Sequence, residues 1–279
     1  MTIDEIKEWY FRPRTPFLSA GTAVEATHGL HPRTMFLKSL PRDAHVLDMG
    51  AGDGSLGILK AWPSPDRSDL KLHAVSLDMG IHFEKYESYE LVNWEATRPD
   101  FGGRLFDAII ASHFIEHVTD PELFISWASS RLKAGGSLYL EWPHESSCDL
   151  PPRMDLMPHG ISLSISNFYD DNTHLKPLTM AFVANAVATV GLTVEQQGRI
   201  RLPMVEEELL AHYALKPEDP YSIQFAFWSR TGWCQYVLGR KLHAVNLEPG
   251  EAPHTTPTSA GASGKSVRAK PKSPKQQGR

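Results

Sequence analysis

The sequence predicts an α/β fold built on a doubly wound, mostly parallel sheet, and three observations carry that expectation. Between residues 43 and 142 short apolar runs alternate with helical patterns, as strands joined by crossover helices do. The first run ends in a glycine-rich turn, Val46-Leu47-Asp48-Met49-Gly50-Ala51-Gly52-Asp53-Gly54-Ser55-Leu56-Gly57, where missing side chains let the chain turn tightly and let a ligand lie against the backbone. The run from Pro121 through Leu123, Phe124, Trp127, Ala128 and Leu132 stops before Gly135-Gly136, which gives an amphipathic helix a proline start and a glycine stop.

Taken in order, residues 1–40, with Trp9-Tyr10-Phe11-Arg12-Pro13-Arg14 and a helical run from Pro32 to Leu40, are expected to form an N-terminal helical cap or lid. Strands are expected at 45–48, 72–78, 90–94, 107–112 and 137–142, a helix at 180–190 ending at Gly191, and two further strands at 192–195 and 222–228. Two stretches of the central domain, 41–245, fall outside the alternation: 143–177, rich in Pro, His and Asp, and 200–221. Each follows a strand, where open α/β sheets bind ligands, so both are expected to be substrate walls. From 246 to 279 the apolar pattern stops and Lys265, Arg268, Lys270, Lys272, Lys275 and Arg279 accumulate, a composition expected to leave a disordered basic tail.

Composition narrows the function. At 279 residues, 41% hydrophobic and 22% charged, the chain is of ordinary globular type. Its formal charge of −5 offers no global attraction to a polyanion, so nucleic acid is not an expected partner. No apolar run is long enough to suggest a membrane span, and the acidic start Met-Thr-Ile-Asp-Glu lacks a signal peptide's pattern, so a cytoplasmic location without a membrane partner is expected. Cys148 and Cys234 are read as reduced thiols.

The turn itself fits two cofactors. From Gly52 it reads G-x-G-x-x-G, the dinucleotide fingerprint; from Gly50 it reads an acidic residue followed by G-x-G-x-G. Asp48, at the strand end, is costly to bury unless it caps the turn or binds something. Asp78, ending the second strand, is placed to accept two ribose hydroxyls in either nucleotide family.

Beyond the turn come Leu77-Asp78, then Phe106-Asp107-Ala108-Ile109-Ile110-Ala111-Ser112-His113-Phe114-Ile115-Glu116-His117-Val118, then Leu132-Lys133-Ala134-Gly135-Gly136-Ser137-Leu138. Four blocks in this order and spacing resemble the class I S-adenosylmethionine-dependent methyltransferases. The resemblance covers residues 43–142 and extends more loosely through Asp170-Asp171-Asn172-Thr173-His174 to near Glu195. It implies a Rossmann-like, seven-stranded sheet, S-adenosylmethionine as cofactor and S-adenosylhomocysteine as its product. It further implies that Gly50, Gly52 and Gly54 admit the amino-acid part of the cofactor, that Asp48 organises the methionine end and that Asp78 holds the ribose. Met79 would pack on the adenine, the Ala96 backbone N–H would meet it, and Glu95 stands where the family usually has an aspartate. Ser112 and His113 would lie beside the transferred methyl group.

Two further motifs compete for attention. His113-Phe114-Ile115-Glu116-His117 matches H-x-x-E-H, a zinc-peptidase signature, but that motif needs both histidines in one helix and His113 directly follows an apolar strand run. Asp170-Asp171 with His174 offers oxygen ligands for magnesium, or a solvated loop. No metal is expected. Methyl transfer asks the protein to position the acceptor, exclude water and remove a proton. A hydroxyl acceptor benefits from a histidine base, for which His144, His174 and His113 are the candidates. The family members that methylate base or glutamine amino groups carry a [D/N/S]-P-P-[Y/F] turn where this chain has Ser112-His113-Phe114-Ile115. O-methylation of a small molecule or sugar hydroxyl is therefore expected, with a small-molecule or carbohydrate acceptor as partner. RNA or protein methylation, a non-catalytic scaffold, and an NAD-dependent oxidoreductase are the alternatives.

Overall fold

The computed structural model describes residues 1–214 and 220–242, so the tail expected at 246–279 lies outside the described residues. Three helices come first, α1 (Ile3–Phe11), α2 (Ala20–Leu30) and α3 (Pro32–Ser39). Each starts after a residue whose side chain accepts a backbone N–H: Thr2, Ser19 and His31. There follow β1 (His45–Met49), α4 (Leu56–Ala61), β2 (Lys71–Ser76), β3 (Ser88–Leu91), β4 (Phe106–Ser112), α5 (Pro121–Arg131) and β5 (Leu132–Pro143). The chain continues through α6 (Arg153–Leu156), α7 (Met180–Thr189), β6 (Leu192–Arg199), α8 (Pro203–Tyr213), α9 (Pro220–Thr231) and β7 (Cys234–Lys241).

The strands form one seven-stranded sheet in the order β3-β2-β1-β4-β5-β7-β6. The first five are parallel, and β7 runs antiparallel to both β5 and β6. The doubly wound, mostly parallel sheet expected from the sequence is the fold. Its strand order reverses between β1 and β4, which opens a crevice beyond the carboxyl ends of those two strands.

Leu47, Ile109, Leu138 and Leu140 pack with Phe124 and Val183 on one face of the sheet, and Val46, Ala108 and Ile110 pack with Leu37 and Leu59 on the other. A third apolar cluster joins Ile6 and Trp9 of α1, Leu156 and Ile161 of the first insertion, and Leu209 and Phe227 of α8 and α9. The N-terminal segment and both insertions thus share one core. No helix among the described residues is long and apolar enough to cross a membrane.

Three local expectations need correction. The run 222–228 is not a strand but part of α9; Ser222, Ile223, Gln224, Ala226, Phe227 and Ser229 are all buried there, and a short apolar run buried all round carries no periodicity to separate helix from strand. The last strand among the described residues is β7 instead. The third strand stops at Leu91, because the Asn93 side chain accepts the Glu95 N–H at 2.9 Å and its carbonyl accepts the Ala96 N–H at 3.0 Å, turning the chain away. The second stops at Ser76, leaving Asp78 in the turn that follows.

Candidate active site

The crevice is bordered by the loop after β1 and the loop after β4. The first is held by its backbone: the N–H groups of Gly50 and Ala51 both donate to Val75 O at 2.9 Å, and His82 N–H donates to Asp53 O at 3.0 Å. Gly52 has φ +54°, and a side chain there would meet no protein atom closer than 3.9 Å. Gly80 packs against the same loop so closely that a Cβ would stand 2.5 Å from Gly52 O. Asp48 is 6% exposed, and Tyr86 Oη donates to its Oδ2 at 2.6 Å. Burial pushes the Asp48 carboxyl up to about 6, against the Tyr86 hydrogen bond and the Arg33 charge, with Asp53 adding to the rise. Asp78 and Met79 are exposed in the turn after β2. Glu95 Oε1 accepts the Thr119 N–H at 2.8 Å, and the Ala96 N–H is committed to Asn93.

The loop after β4 carries a buried polar network. Glu141 of β5, 1% exposed, accepts from Ser112 Oγ at 3.0 Å through Oε1 and from Tyr139 Oη at 2.7 Å through Oε2. Arg33 of α3 donates to Ser112 Oγ at 2.6 Å. His113 holds φ +52°, a conformation non-glycine residues adopt at a cost. Its Nδ1 lies 3.2 Å from Glu116 Oε1, and its Nε2 lies 3.4 Å from Glu141 Oε1 and 3.6 Å from Cys234 Sγ. Burial alone would lower His113, but Cys234, Glu116 and Glu141 hold it well above the usual imidazole range. Burial would likewise raise Glu141, yet His31, Arg33 and His113 hold it well below the usual carboxylate range.

Beside this network lies a narrow, mainly apolar slot. Leu202, Val205, Phe225 and Trp228 supply its walls, and His31 and Cys234 reach it from the network. Burial holds His31 down at about 4, against the pull of Glu141. Its Nδ1 accepts the Arg33 backbone N–H at 3.3 Å, so its Nε2 carries the ring proton.

The catalytic candidates expected from the sequence therefore divide. His113 and Ser112 sit at the network's centre. His144 does not line the slot: its Nδ1 accepts the Ser146 N–H at 3.0 Å, and burial and Arg199 lower its pKa. His174 is turned into the first insertion, where Nδ1 lies 2.6 Å from Phe168 O. Sequence reasoning missed His31, Arg33, Glu141 and Cys234. Glu141 did carry a signal, a carboxylate inside the apolar run Leu138-Tyr139-Leu140-Glu141-Trp142, the same signal that marked Asp48.

A family model described as a methyltransferase domain matches residues 25–197, more than half of the chain. The chain belongs to the methyltransferase-domain family. The methyltransferase is similar to the mitochondrial ubiquinone biosynthesis O-methyltransferase of Rattus norvegicus, 32% identical over 104 residues, which cover 34% of this chain and 29% of the relative. Similarity to the ubiquinone biosynthesis O-methyltransferase of Xanthomonas axonopodis pv. citri is 31% over 126 residues, 40% of this chain and 50% of that one. The chain thus spans half or less of the length of these curated relatives. A crystal structure of a SAM-dependent methyltransferase from Archaeoglobus fulgidus aligns at 19% identity over 85% of this chain and 99% of that one, with a TM-score of 0.46.

Proposed function

We propose that this methyltransferase O-methylates a small, flat, largely apolar molecule that enters the slot beside His113. The carrying observation is that an aromatic-walled slot meets the His113–Glu141 network through Cys234 and Trp228. The names of the curated relatives, O-methyltransferases of ubiquinone biosynthesis, support the same chemistry. A narrow apolar slot favours a planar ring over a sugar, whose many hydroxyls would lose their hydration among Leu202, Val205 and Phe225.

The residues around the crevice fit the cofactor. Gly52 turns its bare face to open space, and Asp78 presents an exposed carboxylate that makes no side-chain hydrogen bond among the described residues. In this reading Gly50, Gly52 and Gly54 admit the amino-acid part, Asp48 organises the methionine end and Asp78 holds the ribose. Met79, Glu95 and Ala96 face the adenine; because the Ala96 N–H already serves Asn93, that turn opens for the adenine or recognises it through Glu95. When bound, the cofactor supplies an electrophilic methyl group. His31 Nε2–H orients the acceptor, the charged His113 keeps Glu141 and the loop after β4 in place beside it, and the hydroxyl proton passes to water as the new bond to oxygen forms.

Incubation of the protein with S-adenosylmethionine and a panel of small phenols, followed by mass spectrometry, tests the reading. Methyl gain on phenolic oxygen is expected, with His113→Ala lowering kcat by roughly 10²-fold through misplacement of the acceptor while cofactor affinity holds. Turnover confined to sugars, amines, RNA or protein would overturn it.

Asp48 provides a second check. Its folded pKa of about 6 lies above the unfolded value near 3.8, so the native state holds the extra proton between those values. Stability of the ligand-free protein is then expected to fall by on the order of 2–3 kcal/mol as pH rises from about 4 to about 6. Asp48→Asn should remove that fall and raise the melting temperature at pH 7. Titration calorimetry should show wild-type affinity for S-adenosylmethionine improving as pH rises through the same window, and the variant binding weakly throughout. A variant that bound as tightly as wild type would remove Asp48 from the cofactor site.

A further inference from the structure

We propose that Glu116, His117 and His174 form a binding site for one divalent transition-metal ion of the zinc type. Each offers a ligand atom, and the three atoms lie within 4.8 Å of one another. Glu116 and His117 sit in the one-turn helix after β4, and His174 comes from the first insertion; Leu175 N–H donates to Glu116 O at 2.9 Å, which pins the two segments together.

Hydrogen bonding dictates what these groups present. His174 Nδ1 lies 2.6 Å from Phe168 O, and a carbonyl can only accept, so Nδ1 carries the ring proton and the neutral ring leaves Nε2 a lone pair. Thr173 Oγ1 donates its hydrogen to Asp171 Oδ1 at 2.6 Å and so accepts from His117 Nδ1 at 2.9 Å. A neutral His117 ring then carries its lone pair on Nε2 as well. The Glu116 side chain has no exposed surface; His113 Nδ1 faces its Oε1, while Oε2 is buried without a partner. With both rings neutral, three acceptors converge with no hydrogen among them. A water molecule has two hydrogens for three lone pairs, whereas a cation satisfies all three.

The surroundings are those of a metal centre. Both imidazoles give their other N–H to an oxygen, which fixes tautomer and ring orientation as the outer partners of ligating histidines do. Asp171 Oδ2, 3.9 Å from His174 Nε2, is an additional carboxylate at the rim. Two imidazoles and a carboxylate are the donor set of catalytic zinc, and bond lengths near 2.0–2.2 Å ask the three side chains to draw in by about 1 Å. The two motifs that competed in the sequence thus each give half of a site: H-x-x-E-H supplies Glu116 and His117, and Asp171-Asn172-Thr173-His174 supplies the rest. His113, the first histidine of the former motif, acts as an outer partner of Glu116, so the ion would hold in place the carboxylate that orients it.

The full chain, stripped with a chelator, is titrated with Co²⁺ followed by visible absorption, then with Zn²⁺ in competition. One equivalent is expected, with a d–d band displaced by zinc and a melting temperature raised by zinc. Glu116→Gln, His117→Ala and His174→Ala should lose the band. Thr173→Val, an exposed position whose change leaves the core intact, should weaken binding by roughly 10–100-fold. His159→Ala, an exposed histidine elsewhere, should bind as wild type does. Wild-type protein that takes up no metal, or ligand variants that bind it as well as wild type, would overturn the site. S-adenosylmethionine binding measured on the same samples reports separately on folding and on the cofactor reading.

Discussion

Gly80→Ala is expected to lower the melting temperature by on the order of 5–10 °C and to abolish cofactor binding in the protein that remains folded. The added methyl group would stand 2.5 Å from both Asp53 C and Gly52 O, and 2.7 Å from Asp53 O. These are backbone atoms, which cannot rotate away as a side chain would. The glycine turn must move, and the Gly50 and Ala51 hydrogen bonds to Val75 that hold it are lost or bent. Gly52→Ala gives the contrast. It costs about 1–2 kcal/mol through its positive φ, meets nothing nearer than 3.9 Å and intrudes only on a ligand. Thermal unfolding with calorimetric titration should therefore show Gly80→Ala losing stability and binding, and Gly52→Ala losing mainly binding. Equal melting temperatures for Gly80→Ala and wild type would mean that the turn is not held by this contact.

Glu141→Ala is expected to cost about 3–5 kcal/mol, the penalty for stripping the partner from buried charge. Arg33 and His113 would keep their charge with the central carboxylate gone, and Ser112 and Tyr139 would lose their acceptor. Glu141→Gln keeps an acceptor oxygen but not the charge, and should fall between. Replacing both charges, Glu141→Leu with Arg33→Met, should recover part of the loss if the network is held together by charge. Urea unfolding of the four proteins measures this; a loss under about 1 kcal/mol in Glu141→Ala would show the network to be dispensable for stability.

The parts of the fold that could be read in the sequence are those fixed by local pattern. The runs at Val46-Leu47, Ala74-Val75, Ala108 to Ala111 and Leu138 to Leu140 are continuous and apolar because strands buried on both faces must be. Pro121 and Asp120 announce α5, where the Asp120 side chain accepts the Leu123 N–H at 2.9 Å. β7 announces nothing comparable. Gln235 is fully buried, its Nε2 donating to Pro143 O and Leu178 O, and Gly239 is there because Val187 lies against it. Both reasons are tertiary and leave no trace in nearby sequence. The candidate site divides the same way. The cofactor turn is a local structure and shows itself, whereas His31 and Arg33 meet Glu141 only after α3 has docked on the sheet.

The position of β7 has a consequence for how the enzyme comes into being. It is the last strand among the described residues, yet it lies inside the sheet, and β6 has no other strand neighbour among them. Until β7 inserts, β5 ends the sheet with an open edge and β6 has nothing to pair with. Cys234, its first residue, is also a wall of the slot. One strand thus both closes the open sheet edge and completes the wall of the slot.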